Sequence, residues 1–138
     1  MEELQHLKVV IYLKLIDKQD TQRKWENFKK LLAINLTNEL VKVAPVDTGR
    51  LRLSIDWRTE GEDIEIYMVD YAKYVEFGTP PHIIKPRNAK ALHWKSGGQD
   101  IFATKVHHPG TRPQPFIRTT FRTKLKNIVG ESISEAFK

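Results

Sequence analysis

Cysteine is absent from this chain of 138 residues, so disulfide bonds and thiolate chemistry are excluded and side-chain packing must hold the fold. Long apolar runs are missing as well. The longest, residues 9–13, is far short of the roughly 20 residues needed to span a bilayer, and the acidic Glu2 and Glu3 do not fit a secretory signal. We therefore expect a protein that is made and used without export and that has no membrane partner.

The groups that catalysis requires are also scarce. The only candidate metal set is Asp100 with four histidines, none of which has the i, i+4 helical spacing typical of zinc sites. These histidines are His82, His93, His107 and His108. No glycine-rich phosphate loop, nucleophile elbow or plausible catalytic triad is present. We therefore expect no catalytic residue, no metal and no cofactor, and a protein that is not an enzyme.

Acidic residues are rare in one long segment, and this makes the distribution of charge informative. The chain carries a net charge of +6, with 23 basic and 17 acidic residues. Residues 82–126 hold ten of the bases and only one acid, Asp100, so this segment is +9 while the remaining 13 bases and 16 acids leave −3. Such polarity suits either a polyanionic partner or self-association in a ring.

The first 45 residues predict one strand followed by one long amphipathic helix. Residues 7–16 are rich in β-branched residues, and large apolar side chains alternate with lysines, as in a half-buried strand. Asp20 or Thr21 is placed to cap a helix that ends before Pro45. The apolar face of this helix recurs at steps of three and four residues and comprises Trp25, Phe28, Leu31, Leu32, Leu36, Leu40 and Val43.

The centre of the chain predicts an antiparallel pair of strands. After a turn at Gly49, apolar and polar residues alternate through residue 58, and they alternate again over residues 64–68. The apolar positions are Leu51, Leu53, Ile55 and Trp57 in the first run, and Ile64, Ile66 and Met68 in the second. Glu60-Gly61 lies between the two runs and predicts a hairpin turn.

Two helices and a hairpin are predicted for the rest of the chain. Asp70 can cap a short helix in which Tyr71, Tyr74 and Val75 share a face and which Gly78 can end with a left-handed backbone. Prolines and glycines make residues 82–115 loop-like, but apolar residues alternate on both sides of Ser96-Gly97-Gly98, which predicts a hairpin arm over residues 84–107. A C-terminal helix starts near Pro115, with an apolar face of Ile117, Phe121, Leu125, Ile128, Val129, Ile133, Ala136 and Phe137.

Together these elements predict a single α+β domain over residues 1–138. A small antiparallel sheet packs against the long N-proximal helix and the C-terminal helix, and the hairpin arm projects from the body. The length of the chain allows one core that buries roughly two thirds of the unfolded surface.

Three segments, in this order and spacing, resemble the head-tail joining family of tailed bacteriophages, whose members are also called neck or tail-completion proteins. They are residues 44–55 (APVDTGRLRLSI), residues 71–79 (YAKYVEFGT), and residues 91–117, which begin ALHW and end PFI. The resemblance covers about residues 20–130. It implies a structural virion protein, assembled in the host cytoplasm, that forms a six-fold ring between the head-closure or connector proteins and the tail-tube or tail-terminator proteins.

The resemblance and the residues together indicate candidate positions for the contacts between subunits or with DNA in the channel. These candidates are Tyr74, Glu76, Phe77, Lys85, Arg87, Lys90, Trp94, Lys95, Lys105 and Arg112. For the aromatic residues Tyr71, Tyr74 and Phe77, a role in the core and in capping stands beside a role in an inter-subunit contact. Glu76, the single acid among them, is expected to pair with a nearby arginine or lysine.

Nonspecific nucleic-acid binding is the alternative function. Lysine and arginine side chains of residues 82–126 could release counterions from phosphates, and His93 and Trp94 could stack on bases. Lysines spread over so many residues are also compatible with an ordinary solvated face, and no nucleic-acid motif of known spacing is present.

Overall fold

Four helices and seven strands are present in the computed structural model, which describes residues 6–12 and 22–138. The mixture of helices with small antiparallel sheets confirms the predicted α+β class. In chain order the elements are β1 (His6–Tyr12), α1 (Gln22–Val43), α2 (Arg50–Ser54), β2 (Asp56–Glu60), β3 (Asp63–Val69), α3 (Ala72–Phe77), β4 (His82–Ile84), β5 (Leu92–Ser96), β6 (Gln99–Ala103), β7 (Val106–His108) and α4 (Phe116–Ala136).

The main sheet has three antiparallel strands in the order β1-β3-β2. The central strand β3 directs Ile64, Ile66 and Met68 into the core, where all three are completely buried. Glu60 is the register partner of Asp63, so a two-residue turn that begins at Gly61 joins β2 to β3 and confirms the predicted hairpin. The first predicted strand is confirmed over residues 7–12, and its residues 13–16 lie outside the described residues.

The prediction of a strand over residues 51–55 is wrong, because these residues belong to helix α2 and the turn that ends it. Gly49 has a φ of +84°, and the Leu53 amide donates to its carbonyl at 3.1 Å, which starts a helical turn. The turn buries Leu51 and Ile55, four residues apart, and leaves Leu53 89% exposed. The sheet is entered only at Asp56, so Trp57 is half-buried at the edge of the core.

Arg52 supplies the physical reason for this helical turn. Its Nε donates to the Ala44 carbonyl at 2.8 Å and its Nη2 to the Lys42 carbonyl at 3.2 Å. Both acceptors lie at the end of α1, where carbonyls lack partners within the helix and attract a cation. A single guanidinium therefore closes the C-terminus of α1, which ends at Val43 just before Pro45, as predicted.

Helix α1 forms the centre of the core, and its predicted apolar face is largely confirmed. Five of its predicted residues are buried, Leu31 packs partly on the core, and only Val43 is exposed. Periodicity did not indicate that Lys29 is buried too. The Lys29 ammonium donates to the Gly61 carbonyl at 2.5 Å and pairs with Glu26 at 3.0 Å. The Trp25 indole donates to the Glu62 carboxylate at 3.2 Å. These contacts fix the β2–β3 turn on α1. The predicted caps, Asp20 and Thr21, lie outside the described residues.

Helix α4 packs along α1, and its buried residues include small and polar side chains as well as Phe116 and Ile128. Asn35 donates to the Ser132 hydroxyl at 3.0 Å, and Ser132 is itself completely buried. The predicted start is confirmed, because the Pro115 carbonyl accepts from the Thr119 amide at 3.0 Å. The predicted apolar face is wrong at its end, since Ile133 and Phe137 are substantially exposed. None of the helices in the described residues has the length and apolar character to cross a membrane.

Candidate functional site

A projecting arm occupies the chain between α3 and α4, and two glycines make its root possible. Thr79 and Thr111 exchange backbone hydrogen bonds of 3.1 and 3.0 Å where the arm leaves and rejoins the body. Gly78, with a φ of +71°, and Gly110, with a φ of +82°, lie against this bridge. A Cβ on Gly78 would approach the Thr111 carbonyl oxygen to 2.5 Å, and one on Gly110 would collide with that of Thr79. The positive φ predicted for Gly78 is therefore confirmed, and Gly110 is its counterpart.

The first part of the arm is a short antiparallel ladder between β4 and β7. The prolines and glycines of this segment had predicted a loop instead. His82 is the register partner of His108, and their rings stack with centroids 4.9 Å apart. The Gly110 amide donates to His108 Nδ1 at 3.0 Å, and His82 Nδ1 lies 2.9 Å from the Pro80 carbonyl oxygen. The prediction that residues 82–84 are a loop is thus wrong, because they pair with a strand 22 to 26 positions later in the chain.

The outer part of the arm is the predicted hairpin, formed by β5 and β6 around Gly97-Gly98. Trp94 is the register partner of Ile101, and Leu92 and Ala103 lie on the same face. On the opposite face the His93 and Phe102 rings stack at 4.6 Å, and His93 Nε2 lies 2.9 Å from Asp100 Oδ1. Trp94 is 39% and Phe102 68% exposed. We call β5, β6 and their turn the outer hairpin; its apolar side chains lie on both faces.

Four basic residues lie between the ladder and the outer hairpin. Residues 85–91 on one side of the arm oppose only residues 104–105 on the other, so the chain bulges there. The bulge and the two residues opposite it carry Lys85, Arg87, Lys90 and Lys105, all exposed, which we call the mid-arm cluster. Within the described residues none of the four has an acidic partner, and the only acid of residues 84–107, Asp100, pairs with His93. With Lys95 included, residues 84–107 hold five bases and one acid, a net charge of +4.

Glu76 is a capping residue inside the body. Its carboxylate is 2% exposed and accepts from the Ile117 amide at 2.8 Å, and from the Arg118 amide and Arg118 Nε at 2.9 Å each. A carboxylate at this position satisfies the first free amides of α4 and interacts favourably with the positive end of the helix dipole. The expected pairing with a basic residue is confirmed, with Arg118 as the partner. The core and capping role therefore accounts for all of its contacts in the described chain.

The aromatic candidates behave differently from Glu76. Phe77 is 61% exposed beneath the Arg118 guanidinium, which lies 4.8 Å from the ring centroid. Tyr74 is half-exposed and, with Tyr71 and Val75, lines a groove of about 580 Å³ at the arm root. Arg112, another candidate, lies in the wall of the same groove. Two of the aromatic candidates thus present an exposed apolar surface beside the arm.

The structure places the sequence candidates in four separate regions. Tyr74 and Arg112 lie at the arm root, Lys85, Arg87, Lys90 and Lys105 form the mid-arm cluster, and Trp94 and Lys95 belong to the outer hairpin. Glu76 and Phe77 contact the start of α4. Sequence reasoning missed Arg118, Gly110 and the Thr79–Thr111 bridge. The signal that could have indicated Arg118 is a lone acid among aromatic residues, Glu76, together with a predicted C-terminal helix whose start has no capping side chain of its own. Such an acid can cap the helix and pair with a basic residue in its first turn.

The candidate metal-binding set is dispersed over the arm. His93 pairs with Asp100 in the outer hairpin, whereas His82 and His108 stack in the ladder near the root. Among the described residues, no three histidine or acidic side chains come together as ligands. Comparison with protein-family models found no match, and no curated protein and no solved structure proved similar to the chain.

Proposed function

We propose that this chain is a structural virion protein of a tailed bacteriophage that joins or completes the tail at the head-tail interface by forming a six-fold ring. It acts without a catalytic step. Its partners are copies of itself, head-closure or connector proteins on one side, and tail-tube or tail-terminator proteins on the other. It is assembled in the host cytoplasm and remains in the neck or tail of the particle.

The observation that carries this proposal is the uncovered apolar surface of the outer hairpin. An isolated two-stranded ribbon is at best marginally stable in water. Here such a ribbon leaves Trp94 39% exposed on one face and Phe102 68% exposed on the other, and no element of the described body makes extensive contacts with its two strands. A neighbouring subunit that covers these side chains would stabilise the ribbon and the assembly together.

A projecting arm is compatible with a ring. An arm that docks on a different surface of the next copy, without reciprocal exchange, makes a heterologous contact, and heterologous contacts generate closed rings when the rotation between copies closes. The outer strands β1 and β2 and the exposed face of α4 offer further contact surfaces, so that many modest contacts add by avidity.

The convergence of the three segments that resemble the phage family also supports the proposal. The Gln114 amide donates to the Val75 carbonyl at 2.8 Å, which joins the third segment to the second. Residues 45–51 of the first segment line a groove with Tyr71, Val75 and Gln114. Segments far apart in sequence therefore meet at the base of the arm. Their resemblance concerns one connected region that orients the arm.

Replacing the outer arm tests this function while keeping the body intact. Because Ile84 and Val106 are register partners, residues 85–105 can be replaced by Asn-Gly, which closes the shortened ladder with a two-residue turn. We expect a monomer with an unchanged melting temperature for its core that fails to restore infectious particles to a phage lacking this gene. Unjoined heads and tails should accumulate in electron micrographs. A normal yield of joined particles would contradict the proposal.

A control variant of equal charge shows whether the apolar side chains matter. Trp94→Ser with Phe102→Ser keeps every basic residue of the arm and removes its two largest exposed apolar groups. We expect this variant to fail in joining as the shortened arm does. Ile133→Ser, an exposed apolar change on α4, is the matched control and should reduce joining less.

A further inference from the structure

The mid-arm cluster has no function in the ring contacts proposed above. Its four side chains lie at the bulge between the two ladders, whereas the apolar surface belongs to the outer hairpin. In the body, several basic residues are engaged: Lys8 and Arg58 pair with Glu65, Lys29 with Glu26, and Arg118 with Glu76. The mid-arm cations are exposed and lack such partners within the described residues.

In the structure, the basic residues of the segment 82–126 lie in different parts of the molecule. Of its ten bases, Arg118 is held by Glu76, and Arg122, Lys124 and Lys126 are exposed on α4. Five lie on the arm itself and one, Arg112, at its root. The net charge of +4 over residues 84–107 therefore belongs to a projecting ribbon with a single acid. Clustered positive charge of this kind attracts an anionic partner at short range, because salt screens exposed charges beyond about 10 Å at 0.1 M ionic strength.

The composition of the bulge favours a phosphate backbone over an acidic protein surface. Three of the four cations are lysines, which are depleted in the cores of protein interfaces but are common phosphate ligands. The other residues of the bulge are small or polar, namely Pro86, Asn88, Ala89 and Ala91, and offer little apolar area for a protein to cover.

The mid-arm cluster favours a duplex over a single strand. Single-stranded nucleic acids bind to open aromatic faces on which bases stack. The mid-arm cluster contains no aromatic residue, and the exposed rings of Trp94 and Phe102 belong to the outer hairpin. A two-stranded β-ribbon, in contrast, is narrow enough to follow or enter the major groove of B-form DNA.

We propose that the mid-arm cluster binds the phosphate backbone of double-stranded DNA without sequence preference. This binding goes beyond assembly and does not depend on the ring, because each isolated subunit carries the complete cluster. Lys95 and Arg112 extend the same basic surface toward the tip and the root of the arm.

Fluorescence anisotropy with a labelled DNA duplex of mixed sequence tests the proposal on the isolated full chain. Four neutralised phosphates predict a slope of about −3.6 for log Kobs against log salt, which is a loss of about 150-fold between 50 and 200 mM salt. The variant Lys85→Gln, Arg87→Gln, Lys90→Gln, Lys105→Gln should bind at least about tenfold more weakly at 50 mM salt, with a slope shallower by about 3.

A control of equal charge separates the cluster from the overall charge of the protein. Lys30→Gln, Arg122→Gln, Lys124→Gln, Lys126→Gln also removes four exposed cations that have no ion pair among the described residues, but it leaves the arm unchanged. This control should retain most of the affinity and slope of the parent. An equal loss in both variants would overturn the assignment to the arm.

Two other outcomes would also overturn the proposal. Tighter binding of a single-stranded oligonucleotide of the same length would show that bases rather than the duplex backbone are recognised. Absence of duplex binding at 20 mM salt would leave the cations to an acidic protein partner. Neither outcome bears on the ring, which the joining assay with Trp94→Ser, Phe102→Ser tests separately, because that variant keeps the mid-arm cluster.

Discussion

Glu76→Gln should destabilise the body strongly, although it changes the side chain by only one heavy atom. The carboxylate accepts three hydrogen bonds, two from backbone amides at the start of α4 and one from the Arg118 guanidinium. Glutamine keeps only one acceptor oxygen, and its NH₂ group would face a hydrogen-bond donor at the start of α4 instead of accepting from it. Hydrogen bonds to charged groups contribute about 1.5–3 kcal/mol each, and a buried donor left unsatisfied costs about 1–3 kcal/mol.

The net loss of stability for Glu76→Gln is on the order of 3 kcal/mol, because the exposed side of Arg118 regains solvation. For a chain of this length, 3 kcal/mol corresponds to a decrease in Tm of roughly 10 °C. Urea denaturation followed by circular dichroism measures the change, with an m-value that should stay constant.

A matched control for Glu76→Gln is Glu135→Gln. Glu135 also pairs with a basic residue, Lys138, at 2.7 Å, but both side chains are more than half exposed. An exposed pair of this kind contributes about 0–1 kcal/mol. A loss of less than about 1 kcal/mol for Glu76→Gln, or equal losses for the two variants, would refute the capping role.

Three further changes test other parts of the fold. Gly110→Ala should loosen the arm root and speed hydrogen exchange in the arm, whereas Gly98→Ala, with a similar φ but open space around it, should have a smaller effect; equal effects would count against the close approach. Leu53→Asp should change stability by less than about 0.5 kcal/mol, since the residue is exposed on a helix, and a large loss would restore the strand assignment. The hydrogen bond from Lys8, and then Arg58, lowers the pKa of Glu65, so this carboxylate contributes stability above its ordinary pKa of 4.5 that is lost as the pH falls through its lowered value. Urea midpoints below pH 4.5 should therefore depend less on pH in Glu65→Gln than in the parent, and identical profiles would contradict the contribution of Glu65.

The periodicity of apolar residues predicted those helices and strands whose apolar side chains all pack into the single hydrophobic core. The α1 face could be identified because its apolar residues all contact the same interior. Residues 51–55 could not, since the spacing of Leu51 and Ile55 fits both a strand and a helical turn. The helix is selected by Arg52, whose guanidinium reaches carbonyls eight and ten residues earlier in the chain. The pattern of apolar and polar residues within 51–55 gives no information about this contact with the end of α1.

In the arm, too, local features could be predicted from the sequence, whereas contacts between distant residues could not. Gly97-Gly98 between alternating residues indicated the outer hairpin, because a tight turn is a local feature. The β4–β7 ladder joins residues 22 to 26 positions apart through strands of three residues, which are too short for a periodic signal. Charge counting found the basic segment, but only the coordinates separate Arg118, engaged by Glu76, from the unpaired mid-arm cations.

The proposed contact between copies can be tested most directly by photo-crosslinking from the arm. Since the chain has no cysteine, Ser96→Cys at the tip of the outer hairpin can carry a single maleimide-benzophenone group. Illumination of particles that contain this variant should give covalent multimers of the 16.1 kDa subunit, with cross-links from the arm to the body of the next copy. Subunits that stay monomeric, or that cross-link only to other proteins, would contradict a ring held together by the arm.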